Sequence, residues 1–106
     1  MIKTKFKDNI YLKDGSLMEK GTEAIVFFTE DDHIARIEIP SINKAFKTRI
    51  RNLQHTFLGF PKMPSIKTLK RWESKGYCKT ITGKKVELDG RGHDNSPSWL
   101  LVIGVI

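Results

Sequence analysis

The sequence predicts an α+β protein with a β-rich first part, residues 1–46, and a second part, residues 47–106, that contains the clearest helix. Three observations support this prediction. Short apolar runs separated by turn residues fill the N-terminal part, an amphipathic helix with a clear start and stop follows Pro64, and most of the cations lie between residues 44 and 85. A chain of 106 residues is long enough for one domain, or for two very small parts that share a core.

The first part is predicted to consist of short strands. The stretch IKTKF alternates polar and apolar residues, NIYL follows it, and Gly15 marks a turn in KDGS. The apolar run from Ala24 to Phe28 is rich in β-forming residues, and HIARIEI ends at Pro40, which cannot donate to a strand ladder. About three to five strands at this spacing predict a small antiparallel barrel or curled sheet of the Src-homology-3-like kind.

The segment that follows this β-rich part fits two structures. Ile50, Leu53, Phe57 and Leu58 are spaced so that they fall on one face of a helix. A strand over KTRIRNL is the alternative, because it would complete the sheet. We favour the helix, which would then be the first of two consecutive helices.

The stretch PSIKTLKRWESKG predicts the clearest helix of the chain. Ser65 is a good N-cap after Pro64, and Gly76 provides the usual C-terminal stop. Ile66, Leu69 and Trp72 form an apolar stripe, and the remaining surface is covered by polar and cationic side chains.

Two further elements are predicted after this helix. YCKTITGKKVEL predicts two strands joined around Thr82 and Gly83, so that Lys84 and Lys85 lie at the tip of a hairpin. DGRGHDNSP has the composition of a loop. The terminal stretch SWLLVIGVI is apolar and must be buried, either as a short helix begun by Ser96 and Pro97 or as a strand.

Residues of about 48–88 resemble a known DNA-binding unit. PSIKTLKRWESKG followed by ITGKKVEL resembles the winged helix-turn-helix of phage excisionases and, more distantly, of MerR-type regulators. The matching positions are Ser65, Thr68, Leu69, Arg71, Trp72, Gly83, Lys84 and Lys85. The resemblance implies a winged helix-turn-helix over these residues, and the strand pattern of the first part adds a small β-rich barrel packed on it.

The resemblance also implies a function and partners. The implied protein binds duplex DNA and belongs to a phage or mobile element, where it acts in DNA recombination or in transcription regulation. Its implied partners are duplex DNA and a recombinase or another protein, with a homodimer or a cooperative array on the DNA.

The distribution of charge also favours a polyanionic partner. The net charge is +7, but residues 1–43 and 86–106 are each at −2. Residues 44–85 contain twelve Lys and Arg and one acidic residue, Glu73, which gives +11. Because such a block repels itself, binding to a nucleic acid would relieve a cost.

The candidate DNA-binding residues follow from this block and from the resemblance. The resemblance places Arg71 against guanine in the major groove and Lys84 and Lys85 at the minor groove or the backbone. The alternative for the helix is a basic face that contacts only solvent. For Lys47, Arg49 and Arg51 the alternative is a solvated strand edge. The candidates are Lys47, Arg49, Arg51, Lys62, Ser65, Lys67, Thr68, Lys70, Arg71, Lys75, Thr82, Lys84 and Lys85.

Two other functions remain open at this point. A small basic protein of this kind can be an interaction module that binds and inhibits a host or partner protein. RNA or single-stranded DNA binding on the barrel is the other alternative, and it requires exposed aromatic side chains. Tyr11, Phe27 and Phe28 are expected in the core instead.

The sequence gives no support to catalysis, to a cofactor or to a metal. Cys78 is the single cysteine, which excludes an internal disulfide, and it has no nearby histidine to activate it. His33, His55 and His93 do not have the spacing of a metal site. The N-terminus lacks the apolar core of a signal peptide and no apolar run is long enough to span a bilayer, so we expect a cytoplasmic protein without a membrane partner.

Overall fold

A computed structural model describes residues 1–104 of the chain. The strands are β1 (Ile2–Lys5), β2 (Ile10–Tyr11), β3 (Leu17–Met18), β4 (Glu23–Phe28), β5 (Ile34–Ile39), β6 (Lys44–Arg49), β7 (Tyr77–Lys79) and β8 (Lys85–Glu87). The α-helices are α1 (Leu53–Thr56), α2 (Ile66–Lys75) and α3 (Trp99–Val102), and 3-10 turns span Pro40–Ile42 and Ile50–Asn52. Within these 104 residues, no helix is both long and apolar enough to cross a membrane.

A four-stranded antiparallel sheet in the order β1-β4-β5-β6 forms the larger part of the fold. Val26 and Ile37 are opposite each other in the β4–β5 register, and both are fully buried. Their neighbours along each strand point to the other face, because side chains alternate in a strand. The sheet therefore has one face against the core and an outward face, while β2 pairs with β3 and β7 with β8 as separate ribbons.

The predicted barrel packed on a winged helix-turn-helix is wrong. The fold is rich in short strands, and the helix expected before α2 is reduced to α1, a single turn of four residues. The start of KTRIRNL belongs to β6, which pairs with β5 over Lys44–Arg49, as the strand alternative expected. Phe57 is extended and bridges to Phe6, so the helical turn ends after Thr56. The predicted boundary between residues 46 and 47 falls inside β6.

The apolar residues that predicted this helix are mostly buried, but they belong to different secondary-structure elements. Ile50 lies in a 3-10 turn, Leu53 begins α1, and Phe57 forms a β-bridge with Phe6. The rings of Phe6 and Phe57 have centroids 4.8 Å apart and both side chains are fully buried. Such aromatic pairs contribute about 0.5–1.5 kcal/mol beyond their buried area. Leu58 is 51% exposed, so the predicted face does not include it.

Helix α2 confirms the prediction made from its caps. The Ser65 side chain accepts a hydrogen bond from the Thr68 amide at 3.2 Å, as an N-cap does. Gly76 ends the helix in the left-handed region at φ 78°, which an L side chain rarely adopts. Leu69 and Trp72 are buried, whereas Ile66, at the end of the predicted stripe, is 72% exposed.

The β7–β8 hairpin is present, but its tip does not protrude as a free wing. A Cβ on Gly83 would lie 3.7 Å from Pro61 Cγ, so the tip lies beside the segment that precedes α2. The Thr82 hydroxyl donates a hydrogen bond to the Asp94 carboxylate at 2.7 Å. This bond holds the hairpin tip to the loop that follows β8.

The chain after β8 connects the hairpin to the sheet. The Arg91 guanidinium donates hydrogen bonds to the carbonyl oxygens of Thr29, Glu30 and Asn95 at 2.9–3.1 Å and pairs with the carboxylate of Asp32. The planar guanidinium has enough donors to hold all four oxygens at once. The β4–β5 turn and the loop after β8 are therefore held together by one cation.

The apolar terminal stretch is largely buried over its described residues. Trp99, Leu100 and Val102 are buried in α3, whose N-cap is Ser98 and not the predicted Ser96. The short helix is thus the form this stretch takes. Residues 105 and 106, which the burial prediction also covered, lie outside the described residues.

Candidate nucleic-acid interface

The outer face of α2 presents three cations to solvent. Lys67, Lys70 and Arg71 are three and four positions apart, so their side chains share one face of the helix. All three are exposed, and they lie opposite the buried side chains of Leu69 and Trp72. We call these three residues the α2 basic face.

None of the cations from Lys62 to Lys85 is neutralised by a carboxylate in residues 1–104. The ion pairs in that part of the chain are Arg36–Glu38, Lys44–Asp14 and Arg91–Asp32. Eight exposed cations therefore remain unpaired in and around α2 and the hairpin. They are Lys62, Lys67, Lys70, Arg71, Lys75, Lys79, Lys84 and Lys85.

The spacing of these cations costs stability. Lys67 and Arg71 are four residues apart on the helix, as are Arg71 and Lys75, and each such like-charge pair costs about 0.2–0.5 kcal/mol. No acidic residue lies in the first turn, where it would interact favourably with the helix dipole. The sequence of α2 is therefore not optimised for the stability of the helix.

Ser65 and Thr68 belong to the cap of the helix. The two hydroxyl oxygens are 3.1 Å apart, and Ser65 Oγ also accepts from the Thr68 amide. Both side chains therefore already have partners within the protein. Lys62 lies in the extended segment before them, and the neighbouring Met63 amide donates to Gln54 Oε1 at 2.6 Å.

The hairpin adds a second group of cations, one of which the sequence analysis missed. Lys79 and Lys85 are directly opposite in the β7–β8 register, an arrangement that is unfavourable for like charges. Lys85 Nζ lies 4.4 Å from the centroid of the Tyr77 ring, which offsets part of this cost. Lys79 could have been found from the sequence, because it lies between Cys78 and Thr80. Both of these are buried, so strand alternation places Lys79 on the exposed face.

Thr82, one of the predicted DNA-binding residues, belongs to a hydrogen-bond network within the protein. Its hydroxyl donates to Asp94 Oδ2 at 2.7 Å and lies 2.9 Å from Ser96 Oγ, while Ser96 Oγ donates to Asp94 Oδ1 at 2.5 Å. A Cβ on Gly92 would lie 2.8 Å from Asp94 Oδ1, so a larger residue there would displace the Asp94 carboxylate from this network. Burial acts to raise the pKa of Asp94, but the hydrogen bonds from Ser96 and Thr82 outweigh it and hold the pKa below its ordinary value.

Lys47, Arg49 and Arg51 belong to a different part of the molecule. Lys47 and Arg49 are on the outward face of β6, and Arg51 follows in the 3-10 turn. β6 pairs with β5, whereas α2 packs on β7. The structure therefore divides the predicted DNA-binding residues between the α2 and hairpin region and the sheet.

No protein-family model matches the chain, no curated protein matches it, and no solved structure matches it. In the described part of the chain, no group of three or more His, Cys, Asp or Glu side chains is arranged to hold a metal ion.

The aromatic side chains differ from their predicted positions. Phe28 is buried as expected, at 8% exposure. Tyr11 is 75% exposed, and Phe27 is half-buried on the outward face of β4. The condition for single-strand binding, an exposed aromatic side chain, is therefore met by Tyr11, and Phe27 has part of its surface exposed.

Proposed function

We propose that the protein binds duplex DNA through the α2 basic face and the cations that surround it. The observation that supports this proposal is the group of eight exposed cations, from Lys62 to Lys85, that have no carboxylate partner in residues 1–104. Unpaired cations release the condensed counterions of a nucleic acid when they contact its phosphates, and this release drives association.

The composition of the α2 basic face favours a duplex over a single strand. Trp72 is the aromatic residue of α2 and it is 8% exposed, so the helix offers no ring on which an unpaired base can stack. The α2 basic face contains side chains that reach phosphates or the edges of paired bases. Arg71 is suited to a two-point contact, because its guanidinium has a planar pair of donors.

The arrangement of the charges gives a second argument. Like charges recur at four-residue spacing in α2 and directly across the hairpin, although both arrangements weaken the isolated protein. A bound polyanion would convert these repulsions into favourable contacts. The proposal therefore explains why the helix carries cations at Lys67, Arg71 and Lys75 together.

The test is the salt dependence of binding to a random-sequence duplex. We expect the variant Lys67→Gln/Arg71→Gln to bind more weakly and to lose about 1.8 from the magnitude of the slope of log K against log [salt], since each phosphate contact contributes about 0.9. Fluorescence anisotropy of a labelled duplex, measured between 50 and 200 mM salt, gives this slope. Over this range, the affinity of a protein that makes six to ten phosphate contacts falls by about 10³–10⁵.

Lys13→Gln/Lys20→Gln is the matched control for this experiment. It removes the same net charge from two exposed lysines outside α2 and the hairpin, so the slope should stay close to that of the original chain. Equal slopes for the two double variants would contradict the proposal. Binding to polyglutamate with the same affinity as to the duplex would instead indicate an acidic protein partner.

A further inference from the structure

The outward face of the sheet combines apolar and cationic side chains. Ile25 and Phe27 of β4 are half-buried, yet neither belongs to the hydrophobic core described for residues 1–104. Arg36 of β5 and Lys47 of β6 are exposed beside them. We call Ile25, Phe27, Ile34, Arg36, Lys47 and Arg49 the outer sheet face.

Strand pairing places the central residues of this face in one row. Phe27 is opposite Arg36 on β5, and Arg36 is opposite Lys47 on β6. Placing two cations directly opposite each other is unfavourable. Glu38 offsets part of the cost, since its carboxylate lies 3.6 Å from the Arg36 guanidinium. The row therefore presents an aromatic ring with two cations at its side.

A basic cleft adjoins this row at the side of β6. Ile34 and Arg49 form the next outward pair, two residues along the strands or roughly 7 Å away. They line a cavity of about 360 Å³ together with His33, Arg51, Val102 and Ile103. No carboxylate is among these lining residues.

Within residues 1–104, the side chains of the two arginines of the cleft have no polar partner. The guanidinium groups of Arg49 and Arg51 form neither an ion pair nor a hydrogen bond with any residue from 1 to 104. His33 Nδ1 donates a hydrogen bond to the carbonyl oxygen of Val102 at 3.0 Å. This bond does not use the other ring nitrogen, Nε2. Asp31, in the same turn, already accepts a hydrogen bond from the His33 amide at 2.8 Å.

We propose that the outer sheet face binds a single-stranded nucleic acid, with one base stacked on Phe27 and a neighbouring phosphate held in the cleft by Arg49 and Arg51. Bases stack on aromatic rings irrespective of their identity, and arginine forks suit phosphate oxygens. An acidic peptide would use the cations but would gain nothing from the ring. This site shares no residue with the α2 basic face, and it does not depend on duplex binding.

The test uses the full chain and a fluorescein-labelled oligo(dT). Phe27→Leu keeps an apolar side chain on the strand but removes the flat ring, so it should weaken oligo(dT) binding about 5- to 150-fold. Arg49→Gln/Arg51→Gln should lower the salt slope for the single strand by about 1.4, because each phosphate contact on a single strand contributes about 0.7. Lys13→Gln/Lys20→Gln removes the same charge outside both basic surfaces, and as the control it should leave oligo(dT) binding close to that of the original chain.

A tryptophan at the stacking position provides a direct readout. Trp72 and Trp99 are only 8% and 3% exposed, so a bound ligand should hardly change their fluorescence. A fluorescence change in Phe27→Trp would therefore come mainly from the introduced indole. We expect Phe27→Trp to retain binding and its fluorescence to be quenched by oligo(dT), whereas polyglutamate should leave it unquenched. Binding without quenching, stronger binding to polyglutamate, or loss of oligo(dT) binding in the α2 variant alone would each overturn the proposal. None of these results would contradict the separate proposal that α2 binds a duplex.

Discussion

At the scale of single residues, the charged groups of this protein serve two different purposes. Arg91 is surrounded by three carbonyl oxygens and the Asp32 carboxylate, so its charge is used to hold two loops together. Lys44 is similarly paired with Asp14, at 2.5 Å, and this contact holds the pKa of Asp14 well below its ordinary value. The α2 cations have no such partners within residues 1–104, and this difference separates structural cations from candidate binding cations.

Asp94 makes a pH-dependent contribution to stability. Its pKa is lowered in the folded protein relative to an ordinary value of 3.8, so its contribution is complete above about pH 5 and is lost as pH falls through the folded pKa. We expect Asp94→Asn to lower the free energy of unfolding at pH 7 by about 1 kcal/mol, since hydrogen bonds to a charged acceptor become neutral ones. The difference should shrink below pH 3.8, as measured by urea unfolding across this range.

Asp89→Asn is the matched control for this substitution. Asp89 is an exposed carboxylate near the end of the same hairpin, and its replacement should change stability by no more than about 0.5 kcal/mol at any pH. A stability difference for Asp94→Asn that is the same at pH 7 and at acid pH would show that the charge of Asp94 does not support the hairpin.

At the scale of elements, the sequence predicted α2 well and predicted the segment before it poorly. The caps and the stripe of α2 are local signals, so Ser65, Gly76 and the buried Leu69 were recognisable from the chain alone. Residues 44–49 form a strand because β5 lies beside them, and that pairing is not local information. The apolar periodicity predicted correctly that Ile50 is buried, but it did not show which secondary-structure element Ile50 belongs to.

The candidate site was predicted to a similar extent. The exposure of Lys67 and Arg71 follows from their positions on an amphipathic helix, which the sequence shows. The role of Thr82 did not follow, because its partner Asp94 is twelve residues away in a loop. The outward position of the half-buried Phe27 was missed because an apolar run does not reveal which residues face the core.

The element α2 also allows stability and binding to be separated. We expect Lys67→Glu to raise the free energy of unfolding by about 0.5–1.5 kcal/mol, because it places an acid in the first turn and replaces the repulsion with Arg71 by attraction. The same variant should bind a duplex more weakly. Thermal unfolding gives the first result and fluorescence anisotropy gives the second.

Lys20→Glu is the control for this pair of measurements, since it makes the same change from +7 to +5 in net charge at an exposed residue outside the helix. It should alter both quantities less than Lys67→Glu does. A more stable Lys67→Glu protein with unchanged duplex affinity would show that α2 is a solvated helix whose charges have no ligand.

At the scale of the whole molecule, two basic surfaces lie on different elements. The molecule is elongated, with principal extents of 44 × 23 × 19 Å. The α2 basic face lacks an exposed aromatic ring, whereas the outer sheet face includes Phe27. Because stacking requires unpaired bases, we assign paired and unpaired nucleic acid to different surfaces of one chain.

The most direct measurement is a titration of the ¹⁵N-labelled protein with a short random-sequence duplex, followed by the shifts of its backbone amides. We predict that the largest shifts occur in α2, from Ile66 to Lys75, and at Lys79, Lys84 and Lys85 of the hairpin. We also predict that these shifts diminish as salt is raised. Shifts confined to β4, β5 and β6, or no shifts at low salt, would contradict duplex binding by α2.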